Sequence, residues 1–212
     1  MTGGTVPRPL TVDDVLDLRA YERVRDDYRR RVMARKRIRR VPLGPIMTLV
    51  FECLDTVRFQ VQEMARVERI ATDEGIQEEL DVYNRLLPSE GELSATLFIE
   101  LTDEGQLRRW LPSLVGVERA LEIQLPPGPG RPAVPSEPEQ SHAESLTREA
   151  VTPAVHYLRF AFGSDEVDRF AEGTVAVAVR HPAYEARTVL GEPTRQELLA
   201  DLQGRTVPLP LG

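Results

Sequence analysis

The clearest hydrophobic pattern in the chain is an alternation over 93–101 that places Leu93, Ala95, Leu97, Ile99 and Leu101 on one face, with Phe98 as the one apolar residue of the other face. Every second residue there is apolar, which is the period of a β-strand with one buried face. The short apolar run at 46–51 predicts a second, fully buried strand. The segments 155–162 and 174–180 have similar strand character, and 184–190 is expected to return antiparallel to the last of them.

A helix is predicted between the first two strands. Read at about 100° per residue, the segment 56–71 gathers its apolar residues on one broad face, formed by Val57, Val61, Met64, Val67 and Ala71. Glu68 falls in the middle of this face and Glu63 on its flank, and the opposite side, expected to face solvent, carries Arg58, Gln62, Arg66 and Arg69. The residues 56–62 also alternate strictly, which suits a strand, but Asp55 or Thr56 as an N-cap and the helix-favouring residues 62–66 favour the helix.

The next segment predicts a second helix that pairs with the first. Its apolar stripe consists of Ile76, Leu80, Tyr83 and Leu87. Glu79 lies at the margin of the stripe, so an antiparallel helix pair brings it towards Glu63 and Glu68. Carboxylates in an apolar setting must be neutral, paired or bound to a metal, and they suit iron, manganese or zinc. The alternative is that these glutamates form surface ion pairs, and the Glu-x-x-His spacing of ferritin-like sites is absent from the predicted helices.

A strongly basic helix precedes these elements. Eight of the twelve residues from 29 to 40 are positive, namely Arg29, Arg30, Arg31, Arg35, Lys36, Arg37, Arg39 and Arg40, although the whole chain carries a net charge of −7. Such segregation of charge predicts either an anionic partner or pairing with the protein's own acidic residues. Nucleic acid is the less favoured partner, because no aromatic residue is interleaved with the arginines.

Composition limits the remaining chemistry. The lone Cys53 excludes an intrachain disulfide and any multi-cysteine metal site built by this chain alone. No apolar run reaches bilayer length and no signal-peptide pattern precedes the first helix, so a cytoplasmic protein is expected. Phosphate-binding glycine loops and nucleophile elbows are also absent. His156 and His181 are the histidines outside the predicted loop, and both are expected to be structural or turn residues.

The order of elements predicts one α+β domain over 1–212, with a mainly antiparallel sheet, helices packed on one face and an N-terminal basic helix. Residues 126–148 are rich in proline, glutamate and serine, which predicts a mobile loop. Thr194 and Glu197 have the spacing of a capping box for a last helix.

Several segments resemble an uncharacterised bacterial family, a domain of unknown function. They are Phe51-Glu52, Asp55-Thr56-Val57, Gln60 to Met64, Glu68, Tyr83-Asn84, Leu93 to Thr96 and Ile99-Glu100, with weaker likeness over Val155 to Phe160 and His181 to Tyr184. Genes of this family commonly lie beside genes for rubrerythrin-like proteins and iron–sulfur oxidoreductases. The resemblance therefore implies an accessory protein of a redox or oxidative-stress system. A carboxylate-site metalloprotein and a nucleic-acid-binding regulator are the alternative hypotheses.

Overall fold

The computed structural model describes residues 8–139 and 151–211, and within these ranges it contains six α-helices and nine β-strands. The helices are α1 Leu18–Ile38, α2 Leu54–Glu68, α3 Asp73–Tyr83, α4 Glu104–Ser113, α5 Ser164–Glu172 and α6 Glu192–Leu202. The strands are β1 Arg40–Leu43, β2 Met47–Phe51, β3 Glu92–Ile99, β4 Leu121–Gln124, β5 Ala133–Pro135, β6 Glu137–Pro138, β7 Val155–Ala161, β8 Ala176–His181 and β9 Tyr184–Val189.

The strands form two antiparallel sheets rather than the single sheet that was expected. The first has the order β1-β2-β3-β7-β6 and the second the order β5-β4-β8-β9. The chain passes from one sheet to the other at Ser136, between β5 and β6. At the opposite side, the edge strand β1 of the first sheet contacts the edge strand β9 of the second. The hydroxyl of Tyr184 on β9 donates to the carbonyl of Leu43 on β1 at 2.6 Å, so each of these edge strands covers the other. The α+β antiparallel class is confirmed.

The main core lies between these sheets. Leu93, Ala95, Leu97 and Ile99 on β3 are all at most 4% exposed, which confirms the alternation read from the sequence. They belong to the same cluster as Ile123 on β4 and the apolar residues of β8, α5 and α6. The other face of β3 carries polar residues, and Thr96 there contacts the carboxylate of Glu52 just before α2. Helix α2 is therefore placed over a polar face of the first sheet.

The segment that allowed two interpretations is helical. The helix α2 runs from Leu54 to Glu68, with Cys53 rather than Asp55 or Thr56 at its N-cap. Arg69 follows its last turn and adopts a left-handed conformation with φ 57°. Val57 and Val61 are fully buried and pack in one cluster with residues of α3. Val67, expected on the buried face, is 63% exposed, because the cluster covers the earlier turns and leaves the last turn to solvent.

Two of the four residues expected on the solvent side of α2 are buried, whereas Arg66 is half-buried and Arg69 exposed. Arg58 is 7% and Gln62 0% exposed. The Gln62 side-chain amide accepts from Leu16 N at 2.9 Å and donates to Leu16 O at 2.8 Å. Arg58 Nε donates to the hydroxyl of Tyr28 at 3.0 Å. Helix α1 and the segment before it cover this side of α2. A helical wheel of α2 shows only residues of α2, so it does not indicate where α1 lies.

Part of the predicted loop is ordered by a single arginine. Arg169 on α5 is 5% exposed and donates to three carbonyl oxygens, those of Pro126, Pro129 and Arg131. After this turn the chain forms β5 and β6. The remaining residues of the predicted loop, from 140 to 148, lie outside the described residues.

The last helix begins earlier than its sequence signal indicated. It starts at Glu192 with Pro193 in its first turn. The Thr194 hydroxyl donates to the carbonyl of Ile38 at 2.6 Å, and Glu197 forms ion pairs with arginines of the N-terminal region. The apparent capping box is thus used for tertiary contacts between α6 and the end of α1.

Candidate functional site

The eight basic residues of 29–40 divide into three groups. Arg30 and Arg31 form ion pairs with Asp27, one turn earlier on α1, and Arg40 pairs with Glu100. Arg29, Lys36 and Arg37 form no ion pair within the described part of the chain; we call these three the basic stripe. Arg29 and Arg37 are exposed and Lys36 is half-buried.

Arg35 and Arg39 point inward instead. Arg39 is 0% exposed, and its guanidinium meets Asp201 in a bidentate pair with N–O distances of 2.7 and 2.9 Å. It also lies 3.2 Å from Glu197 and donates to the carbonyl of Glu52. Arg35 pairs with Asp55 and with Glu197. These two arginines are paired within the chain, and the side chain of Arg39 is fully buried.

The predicted metal ligands do not assemble into one group. Glu63 accepts from Arg25 Nε at 2.8 Å and Nη2 at 2.9 Å, and from the Tyr21 hydroxyl at 2.7 Å. These hydrogen bonds, above all those from Arg25, lower the pKa of Glu63 to about 2. Its two carboxylate oxygens are therefore already engaged by a cation of the protein, at the contact between α1 and α2.

Glu68 and Glu79, in contrast, lie close enough to influence each other. Glu68 is exposed in the last turn of α2 and Glu79 is half-buried on α3. Burial and the charge of Glu68 raise the pKa of Glu79. Over 8–139 and 151–211 no three histidine, cysteine or acidic side chains are grouped so that they could hold a metal ion. A site at this position would consist of two carboxylates from this chain.

Both histidines with candidate roles are buried within the strands. His181 Nδ1 accepts from the amide of Ala183 at 3.2 Å, and Nε2 lies 3.1 Å from the carbonyl of Val115. Both ring nitrogens of His181 thus lie beside backbone groups near the turn between β8 and β9. His156 is 0% exposed and its Nε2 lies 3.1 Å from the Thr152 hydroxyl. Among the residues that the structure describes, neither imidazole lies in a group of potential metal ligands.

Buried charged side chains also meet at the beginning of α2, where the sequence predicted only a helix cap. The carboxylate of Asp55, whose side chain is 1% exposed, accepts from Arg58 at 2.9 Å and pairs with Arg35. Asp55 is an ordinary acidic residue in the first turn of a helix, and two of its partners, Arg35 and the amide of Leu209, are far away in the sequence. The nearest available signal was the arginine three residues later, which suits an ion pair on one helix face.

A cavity of about 200 Å³ adjoins this cluster. Cys53, Leu54 and Pro88 line it from one side and Pro208 from another. Cys53 is 3% exposed, and burial raises the pKa of its thiol, so the residue is a buried small apolar group, as expected from the sequence, rather than a reactive thiolate. The charged side chains that line the cavity are already paired within the protein, so the cavity does not require a bound counter-ion.

Glu52, beside this cluster, is a buried carboxylate held by hydroxyl groups. Thr96 Oγ1 donates to it at 2.6 Å and Thr56 Oγ1 at 2.5 Å. It has no ion pair with any cation among the described residues. Thr96 lies on β3 and Thr56 on α2, so Glu52 joins the first sheet to α2.

The chain is similar to a protein family and to a solved structure. The family model described as "Protein of unknown function (DUF3501)" matches residues 9–202. A solved crystal structure of a novel protein of unknown function from Burkholderia pseudomallei is similar, with a TM-score of 0.84 and 33% sequence identity. The similarity covers 92% of this chain and 100% of that one. No curated protein matches. Over the described residues, no helix is long and apolar enough to span a membrane.

Proposed function

Because this chain belongs to the DUF3501 family of unknown function, we propose its role from its own surface: it is a partner-binding accessory protein of a cytoplasmic redox or oxidative-stress system. Its partners are a rubrerythrin-like diiron protein and an iron–sulfur oxidoreductase. It recognises an acidic face on one of them through the basic stripe Arg29, Lys36 and Arg37. The single cysteine of the chain fits this division of work, because any iron–sulfur cluster must then be held by a partner.

The observation that carries the proposal is the contrast between paired and unpaired cations on one helix. Five of the eight basic residues form ion pairs with acidic residues of the same chain, whereas the basic stripe has no such partner in the described residues. With 100° and 1.5 Å per residue, the stripe spans about 12 Å and a sector of about 100° on α1. Three unpaired cations so arranged attract an acidic surface and raise its rate of association.

Charge reversal tests the proposal. The variant Arg29→Glu, Lys36→Glu, Arg37→Glu is compared with a control, Arg108→Glu, Arg119→Glu, Arg187→Glu, which changes the net charge equally at exposed arginines on other elements. Binding to the purified rubrerythrin-like and iron–sulfur proteins of the same genome is measured by surface plasmon resonance at low and high salt.

We expect about a tenfold or larger loss of affinity in the stripe variant and little change in the control. The interaction of the original protein should weaken with rising salt, because exposed charges are screened beyond about 10 Å at 0.1 M. Equal binding by both variants would contradict the role of the stripe. Absence of binding to either partner by the original protein would contradict the proposed function itself.

A second candidate function is metal binding between Glu68 and Glu79. The observation that favours it is the raised pKa of Glu79, since a cation placed between two repelling carboxylates would relieve that repulsion. The test is elemental analysis for iron, manganese and zinc in protein purified without chelator and without air. Glu68→Gln with Glu79→Gln should remove the metal, whereas Glu63→Gln is a matched control because Glu63 is held by Arg25. Metal retained in the double variant would exclude this site.

A further inference from the structure

Residues 205–211 form an extended segment, here called the strap, that lies in a groove between α1 and α2. From 206 to 211 the strap makes no backbone-to-backbone hydrogen bond with any other described residue. It is held by side chains of the groove, in the way that a protein holds a bound peptide. We propose that this groove is a peptide-binding site, occupied in cis by the strap, which accepts from a partner protein an extended segment with a leucine flanked by prolines.

The groove recognises the main chain of the strap at one residue. The amide of Leu209 donates to the carboxylate of Asp55 at 3.0 and 3.2 Å. The carbonyl of the same residue accepts from Arg58 Nη2 at 2.5 Å. One acid and one base, themselves paired at 2.9 Å, thus satisfy both backbone groups of a single residue. Arg35 Nη1 adds a weaker contact with the carbonyl of Val207 at 3.1 Å.

The sequence of the strap fits this arrangement. Pro208 and Pro210 flank Leu209, and a proline has no N–H to leave unsatisfied when the segment is bound. Prolines also favour an extended conformation before binding, which lowers the entropy lost on docking. The amide of Leu209 is therefore the one N–H between 208 and 210, and the groove places its acceptor there.

Side chains supply the second part of the recognition. Leu209 and Leu211 pack on a cluster whose buried members are Tyr21, Tyr28, Val32 and Phe59, each at most 8% exposed. Val207 instead is 74% exposed and the prolines face outward or towards the cavity. An aromatic-lined groove that takes an extended proline-containing segment is a recurring mode of peptide recognition.

The strap is attached to the fold at a sharp turn, and the Thr206 hydroxyl at its beginning donates to Asp201. It follows α6 through Gly204, whose positive φ of 62° favours glycine and marks a sharp turn. Thr206 and Pro208 form part of the wall of the 200 Å³ cavity, so release of the strap would also open that cavity. This groove is formed by the buried side of α1, whereas the basic stripe lies on other faces of the helix. Peptide binding in the groove is therefore independent of partner binding by the stripe.

The test uses the full chain and a fluorescent peptide with the sequence of residues 205–211. Leu209→Ala with Leu211→Ala weakens the strap, and Val207→Ala is the matched control in the same segment. A tethered strap competes at an effective concentration near the millimolar range, so the original protein and the control should bind the added peptide weakly. The weakened strap should allow binding about tenfold tighter, measured by fluorescence anisotropy.

Two further measurements keep the result interpretable. Exchange of the Leu209 amide hydrogen should be faster in Leu211→Ala alone than in Val207→Ala, a comparison that remains available if the double variant is poorly folded. Adding Arg58→Lys to the weakened strap should reduce peptide binding again, because lysine does not reproduce the guanidinium pairing.

Equal peptide binding by the weakened and control variants would overturn the proposal and make the strap a fixed structural element. Dimers of the original protein that disappear when the strap is weakened would also overturn it, because they would assign the groove to the strap of a second copy.

Discussion

Arg37 and Arg39 are two positions apart in the sequence and have opposite environments, so their substitution separates a surface charge from a structural one. Arg39→Met removes the guanidinium that is paired with Asp201 and leaves that carboxylate, whose side chain is 4% exposed, without its bidentate partner. Breaking one side of a buried ion pair typically costs about 3–5 kcal/mol. The exposed Arg37→Met should change the free energy of unfolding by less than about 0.5 kcal/mol.

The assay is urea unfolding at neutral pH, followed by circular dichroism and by the fluorescence of Trp110, the single tryptophan. For a domain of this size the loss corresponds to a decrease in Tm of about 6–20 °C. The double variant Arg39→Met, Asp201→Leu should recover most of the loss, because an apolar pair of similar volume often replaces a buried ion pair at little cost. A loss below about 1 kcal/mol in Arg39→Met, or a double variant no more stable than Arg39→Met, would refute the reasoning.

Three further predictions concern other charged groups. Because the pKa of Glu63 is lowered to about 2, its stabilising contribution is complete above its ordinary value of 4.5 and is lost as the pH falls through about 2; Glu63→Gln should flatten acid unfolding curves in this window. Arg169→Ala should free the proline-rich turn at 126–131, with faster hydrogen exchange and protease cleavage there, since its carbonyls lose their shared donor. Glu68→Gln should lower the pKa of Glu79, measured by NMR titration of the side-chain carboxyl, because one source of repulsion is removed.

Each of these predictions has an outcome that would contradict it. Acid unfolding that is identical with and without Glu63 would show that its ion pair is absent in solution. Arg180→Ala, which removes an exposed arginine of β8, is the control for the proline-rich turn, and equal cleavage in both variants would exclude the role of Arg169. An unchanged Glu79 titration would mean that the two carboxylates are too far apart to interact.

The periodic parts of the chain were readable from the sequence. The alternation in β3 and the apolar stripes of α2 and α3 each report burial on a regular element, and hydrophobic period alone determines them. The α+β class followed from the order of these elements. The division of the strands into two sheets did not, because the crossover at Ser136 lies between two strands of two and three residues that have no periodic signal of their own.

Only the tertiary structure decided which charges are internal. The wheel of α2 placed Arg58 on the solvent side, yet α1 and the strap bury it, and the basic run gave Arg39 the same character as Arg37. A side chain's environment depends on elements distant in the sequence, and charge patterning carries no information about their position. The sequence by itself therefore determined the regular elements and the excess of basic charge on α1. The fold determined how that charge divides into a buried network, a groove that holds the strap and an unpaired basic stripe, because burial and pairing are properties of packed elements rather than of residues.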